Sequence, residues 1–297
     1  MKYNLCAIVA AFIWGTAFVA QSVGADLLPT FAFNTVRSLI ATVALLILLA
    51  VLSKIRKQSF LPPKQNRKPL LIGGLLCGTA LAIASGLQQH ALATAPPGKA
   101  GFLTALYLVL VPIAGLLLFR RKVSLSVWLA VGLATVGLYL LCMTDSSFTI
   151  ELSDLLLILC AISFTVHILL IDYFTKRVDA VRLSCLQFFM VAVISALLIP
   201  ILDEPPDWSL LPQCAVPLLY TGVLSSGVAF TLQIVAQKGS NPTVITVLMS
   251  LESLFAVLAD AALGGSLTPR EYVGCAVMLA AVILAQLPPL DKLRKKV

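Results

Sequence analysis

Leu39-Ile40-Ala41-Thr42-Val43-Ala44-Leu45-Leu46-Ile47-Leu48-Leu49-Ala50-Val51-Leu52 runs without a charge, and with the residues before it forms a mostly apolar stretch from 30 to 52. A helix of about 20 such residues crosses the hydrocarbon core of a bilayer, because each residue rises about 1.5 Å. The same kind of stretch recurs at 3 to 22, 69 to 91, 97 to 119, 124 to 142, 153 to 172, 181 to 202, 212 to 236, 242 to 264 and 269 to 288, which makes ten spans. Backbone amides find no water in lipid, so a span must be a helix or belong to a closed barrel. Continuous apolar runs lack the alternation of a barrel strand. The expected class is therefore all-α integral membrane with ten transmembrane helices. Composition agrees: 60% of residues are hydrophobic and 11% charged, against about half and a quarter in soluble domains. The longest connection, Ser53 to Lys68, is basic and carries Pro62 and Pro63. It leaves no room for a separate catalytic module.

The net charge of +8 reports orientation, and no nucleic-acid partner is expected. With the N-terminus inside, 18 Lys and Arg fall on one side, including Lys54, Arg56, Lys57, Lys64, Arg67, Lys68, Arg120, Arg121, Lys122 and Arg182. The opposite loops hold Lys99 and Arg270 and the acids Asp26, Asp145, Glu151, Asp203, Glu204 and Asp207. The positive-inside rule then places both termini in the cytoplasm, and the expected location is the plasma (inner) membrane. Lys2 and the small residues Val23, Gly24 and Ala25 imitate a secretory signal, but the first apolar run is too long for one. The seven cysteines stand singly, with no CxxC pair, and read as packing residues.

The second half slides over the first at an offset of about 145 to 150 residues. Gly78-Thr79-Ala80-Leu81 then lies over Gly227-Val228-Ala229-Phe230, Gln89 over Gln237, Pro97 over Pro242, and Gly132 over Gly274 after a short gap. The predicted organisation is two five-helix units, 1–145 and 146–297. Five is odd, so the second unit enters from the opposite side, giving inverted repeats of the sort secondary transporters use. Pro96-Pro97-Gly98 and Gly239-Ser240-Asn241-Pro242 open the fourth and ninth spans and are candidate hinges for two gates.

Several of these residues carry a resemblance. Trp14-Gly15-Thr16-Ala17-Phe18, Arg37, Gly101-Phe102-Leu103-Thr104 to Pro112, Ser250-Leu251-Glu252-Ser253-Leu254-Phe255, and Leu267-Thr268-Pro269-Arg270-Glu271-Tyr272-Val273-Gly274-Cys275 make the chain similar to an EamA-type permease of the drug/metabolite transporter (DMT) superfamily. The resemblance covers essentially the whole chain. It implies a ten-helix carrier that moves metabolites such as amino acids, nucleosides or drugs, often outward, through a cavity between two five-helix halves. Related sequences often read Leu-Gly-Glu before the Leu-Thr element; here the acidic position is Gly265, and no role of that glutamate carries over.

Polar side chains within lipid are costly, so those that remain are candidates for a site. Glu252 lies mid-span, about 15 Å from either end at helical rise, and matches the family's acidic position. As a carboxylate it could bind a substrate amine, or it could exchange a proton during transport. Pro242, Thr246, Met249, Ser253, Ala256 and Asp260 form a small or polar stripe beside it, readable as a cavity wall or as close helix packing. Arg37 needs a partner, with Asp26 and Glu252 as options. Gln187, its approximate counterpart in the second half, and Gln233 suit zwitterions. Trp14 and Tyr107 lie deep enough to stack on a substrate. His167 could relay protons. Neither His167 nor His90 has a second ligand at metal spacing, so no metal and no other cofactor is expected.

The leading expectation is a secondary transporter, a permease or exporter for small organic metabolites working by alternating access, with protons as a second cargo. The rival is an intramembrane hydrolase or protease, with Ser226 as nucleophile and His167 as base. No GxxxxGK[ST] string offers direct ATP drive, and no repeated ring of charged or carbonyl-rich residues suggests a channel filter.

Overall fold

The computed structural model describes residues 2–57, 59–95, 97–120, 123–143, 151–262 and 267–287. Helices account for nearly all of them, and no strand occurs among the described residues. The first three spans are α1 (Lys2–Leu27), α2 (Thr30–Ile55) and α3 (Lys64–Leu92). The fourth is divided into α4 (Pro97–Thr104) and α5 (Tyr107–Phe119), and α6 (Leu125–Cys142), α7 (Leu152–Phe174) and α8 (Ala180–Leu202) follow as single helices. The eighth consists of α9 (Ala215–Leu219), a π-helical stretch over Tyr220–Ala229, and α10 (Phe230–Gly239). The ninth is α11 (Pro242–Met249) and α12 (Leu251–Ala262), and α13 (Pro269–Gln286) is the tenth. The chain is thus an all-α, multi-pass membrane protein. Nine helical segments among the described residues are long and apolar enough to cross a bilayer. The shorter α13 spends its first turn on Arg270 and Glu271, with Glu271 closing a capping box on Thr268.

Two expectations need correction. Half of the connection read as Ser53 to Lys68 is helix, since α2 runs on to Ile55 and α3 starts at Lys64. Apolar runs locate hydrocarbon, and the helices extend past it into the polar zone. The fourth, eighth and ninth spans are not continuous α-helices. In the fourth, Leu108 and Val109 bond back three residues to Ala105 and Leu106, at 2.9 Å each, a tight 3-10 turn inside the span. Asp145, Arg121, Lys122, Gly264 to Ser266 and the C-terminal basic cluster lie outside the described residues.

Packing follows residue size. On α1, Ala7, Ala11 and Gly15 recur every four residues, and the two alanines have no exposure, so neighbouring backbones approach closely. Large apolar side chains such as Leu117, Leu197 and Val216 are exposed on the rim, where lipid replaces water as their solvent. The fifth span packs on the tenth and the second on the seventh; the third packs on the sixth and seventh, the eighth on the first and second, the first on the ninth, and the fourth on the sixth. Exchanging each span with the one five later maps this set of pairings onto itself. Two hydrogen bonds repeat the relation: Gln89 Nε2 donates to the Gln21 carbonyl and Gln237 Nε2 to the Ile168 carbonyl, both at 3.2 Å.

The entry to α2 is closed by a residue from another helix. Asp203, just past α8, accepts from the Phe31 and Ala32 amides at 2.9 and 2.8 Å, while Pro29 at the N-cap has no side chain to offer. A carboxylate there satisfies orphan amides and meets the positive end of the helix dipole. Asp203→Ala should cost about 1 to 2 kcal/mol and Asp203→Asn less; denaturation in mild detergent checks this, and equal stability of Asp203→Ala and wild type would refute the capping role.

Candidate functional site

A cavity opens between the first, second, third, fourth, sixth, seventh, eighth and ninth spans. Its wall combines Trp14, Phe18, Leu81, Phe164, Phe188 and Phe230 with polar groups that include Gln21, Arg37, Ser38, Ser85, Gln88, Thr104, Tyr107, Ser225, Ser226, Gln233 and Glu252. Such a mix of apolar surface and convergent polar groups is typical of small-molecule sites.

Of the residues singled out from sequence, Trp14, Arg37, Tyr107, Gln233 and Glu252 meet at this cavity. Tyr107 stands at the first position of α5 and Glu252 in the first turn of α12, so both are placed by the breaks in their spans. The Tyr107 hydroxyl donates to Glu252 Oε1 at 3.2 Å. Position 252 lies 145 residues after position 107, the same offset as Pro97 to Pro242, so the bond joins corresponding positions of the two halves. The first turn of a helix also suits a carboxylate, because free amides and the helix dipole favour negative charge there.

Arg37 is buried, and Nη1 donates to Gln21 Oε1 at 3.0 Å. Its guanidinium carbon also lies 5.6 Å from the centre of the Phe33 ring. The ion-pair options Asp26 and Glu252 are thus replaced by a neutral amide, one that fixes the guanidinium without cancelling its charge. Among the described residues no ion pair engages Arg37 or Glu252. Trp14 Nε1 donates to the Ser225 carbonyl in the π-helical stretch at 3.3 Å, and its ring meets Phe230 edge to face with centroids 4.8 Å apart. π-helical turns free carbonyls of this kind and cluster at functional sites. Gln233 presents Oε1 with no hydrogen-bond partner.

Two candidates stand behind the wall. His167 Nε2 and Gln187 Oε1 are 3.1 Å apart, and both residues are fully buried. Phe230 separates them from the cavity, with its ring 5.9 Å from the His167 ring. Asp260 belongs to α12, and its side chain lies outside the described residues. The expected stripe on the ninth span does not form a cavity wall. Only Met249 of that set lines the cavity; Thr246 bonds to its own helix at the Thr243 carbonyl, and Ala256 lies against Gly15 of α1. The turn at Ser250 resets the helical phase, so a face counted through it does not stay one face. For the hydrolase alternative, Ser226 lines the cavity, but His167 turns Nε2 to Gln187 and no hydrogen bond joins it to Ser226.

Sequence reading missed Gln21, Gln88, Thr104 and Phe230. Gln88 Nε2 donates to Thr104 Oγ1 at 3.4 Å. The signal for the glutamines was present, since amides inside spans are as anomalous as charges; in the first three spans only Gln89 had been noticed, through its repeat partner Gln237.

This arrangement agrees with what the chain is similar to. The model of the EamA-like transporter family matches residues 1–143 and again 151–287. The chain belongs to the EamA-like transporter family. Among its relatives, an uncharacterized transporter of Archaeoglobus fulgidus is 29% identical over 94% of this chain and 84% of its own length. The uncharacterized transporter YwfM of Bacillus subtilis is 25% identical over 97% of this chain and 94% of its own. A solved crystal structure shares the fold, with a TM-score of 0.80 at 18% identity over 97% of this chain and 98% of that one. The chain is a membrane transporter, and the cavity is its candidate solute site.

Proposed function

We propose that this EamA-family member is a secondary carrier for small zwitterionic metabolites, amino acids foremost, working by alternating access in the plasma membrane with both termini in the cytoplasm. The observation that carries the reading is one cavity lined by Arg37 and Glu252, opposite in charge and neither engaged by an ion pair. A zwitterion supplies both missing partners: its carboxylate takes the fork of Arg37 and its ammonium takes Glu252, with Trp14 and Tyr107 beside it as aromatic cover. Charge-assisted hydrogen bonds of this kind are worth about 1.5 to 3 kcal/mol each.

The two halves, 1–145 and 146–297, are read as inverted repeats. The double family match, the exchangeable pairings and the duplicated glutamine bonds support this. Alternating access then exchanges the role of the halves, and protons could accompany the solute through Glu252. A radiolabelled amino-acid panel assayed in proteoliposomes tests the proposal. At least one zwitterion should accumulate by counterflow, and Arg37→Gln should weaken it by about tenfold or more, the loss of one charged hydrogen bond. Transport of neutral or purely cationic solutes alone, unaffected by Arg37→Gln, would overturn it.

A further inference from the structure

The basic side of the molecule carries a second, two-part cleft that shares no lining residue with the central cavity. Its apolar part runs between α2, α3 and α8, with Leu46, Leu49, Leu70 and Leu186 among its walls. Its polar part holds Ser59, Lys64 and Asn66. The two parts share Leu61, Pro62, Arg67 and Arg182, so both arginines stand at the junction of a greasy groove and a wet alcove.

Both guanidiniums are held in place by the connection between α2 and α3. Arg182 donates from Nη2 to the Ser59 carbonyl at 2.7 Å and from Nε to the Phe60 carbonyl at 3.3 Å. Arg67 donates from Nε to the Pro62 carbonyl at 3.3 Å. These bonds leave the terminal nitrogens of Arg67 without a protein partner among the described residues. The acid near the junction is Asp179, whose Oδ1 lies 4.0 Å from Arg182 Nη1. Six basic residues and no acid fall between positions 54 and 68, so the alcove is strongly positive.

We infer that this cleft is a binding site for an anionic phospholipid of the leaflet on the basic side. The phosphodiester rests between Arg67 and Arg182, a further anionic headgroup oxygen reaches Lys64, and one acyl chain lies along Leu46, Leu70 and Leu186. Neither half of the cleft fits another occupant as well: a free phosphate leaves the apolar groove empty, and a zwitterionic lipid brings a choline cation into a basic alcove. Basic pockets between membrane helices on the cytoplasmic side are suited to acidic headgroups, each nearby Lys or Arg adding about a kcal/mol. Lipid held there would tie the connection to α2, α3 and α8.

The test uses the delipidated full chain in mild detergent. Dioleoyl phosphatidylglycerol, dioleoyl phosphatidylcholine and soluble glycerol phosphate are added separately, with thermal unfolding and native mass spectrometry as readouts. Phosphatidylglycerol should raise Tm and be retained as a bound adduct, while the other two should do neither. Arg67→Gln should weaken the phosphatidylglycerol effect about fivefold or more, the loss of one basic contact, and Leu186→Trp should do the same by filling the groove. Because Arg67 makes one long backbone contact, its replacement should leave the unliganded Tm nearly unchanged. An equal response to phosphatidylcholine, an equal response to glycerol phosphate, or an undiminished response in Arg67→Gln would each overturn the inference.

Discussion

Glu252→Gln is expected to lower zwitterion transport in proteoliposomes by about 10- to 100-fold, while the purified variant keeps the fold of the wild type. The substitution removes the charge and keeps the shape, and Tyr107 can still donate to the amide oxygen, so packing is retained. The loss is then the interaction with the solute ammonium, about 1.5 to 3 kcal/mol for a hydrogen bond to a charged group, or one to two decades in affinity. Tyr107→Phe should do less, about fivefold, because it removes one neutral donor worth about 1 kcal/mol. The order of the two effects is the diagnostic. A structural role for the Tyr107–Glu252 bond alone would reverse the order, since Glu252→Gln keeps an acceptor for the Tyr107 hydroxyl whereas Tyr107→Phe deletes the bond. Uptake rates measured over a concentration series settle it, and unaltered transport by Glu252→Gln would remove this carboxylate from the solute site.

Much of this site was legible before any coordinates because lipid penalises polarity so heavily. Arg37, Glu252 and Gln233 stood out as polar groups that hydrocarbon would otherwise eject, and all three line the cavity. His167 and Gln187 were singled out by the same argument and instead bond to each other beside Phe230, with His167 Nδ1 and Gln187 Nε2 left without a partner among the described residues. Polarity says that a group is shielded from lipid, but not whether solvent or another side chain shields it. The spans were legible as apolar runs; their interruptions were not. Ala105 and Leu106 are unremarkable in a helix and Ser250 is tolerated in one, so those residues carry no mark of the breaks, although Pro112, with no amide hydrogen for the Leu108 carbonyl, lies one turn after the break in the fourth span. What was legible was the 145-residue offset, which already set Tyr107 over Glu252. The contact between them required the two halves to be folded together.

Gly15→Leu is expected to destabilise the protein by more than about 2 kcal/mol and to abolish transport, and the reason lies in the ninth span. A β-carbon at position 15 would strike the Glu252 carbonyl oxygen and come within 2.8 Å of Phe255 Cβ and 2.9 Å of the Ala256 amide nitrogen. Two of those three obstacles are backbone, which cannot swing aside as a side-chain tip does, so α1 and α12 must separate. Separation costs the close packing that holds membrane helices together, and overpacking by several methylenes costs about 1 to 3 kcal/mol even in adaptable cores. It also moves Glu252 relative to Trp14, one residue from the glycine, so the solute site is lost with the packing. Gly15→Ala should show the same sign at smaller size. Gly132 in α6 is the contrast, since a β-carbon there meets nothing within 4 Å. Gly132→Ala should be neutral or stabilising by up to about 1 kcal/mol, the helix propensity gained. Thermal unfolding of the three variants in one detergent, with uptake measured alongside, checks the comparison. Equal stability of Gly15→Leu and Gly132→Ala would mean that α1 and α12 do not meet as described, and Glu252 would lose the backbone support that aims it at the cavity.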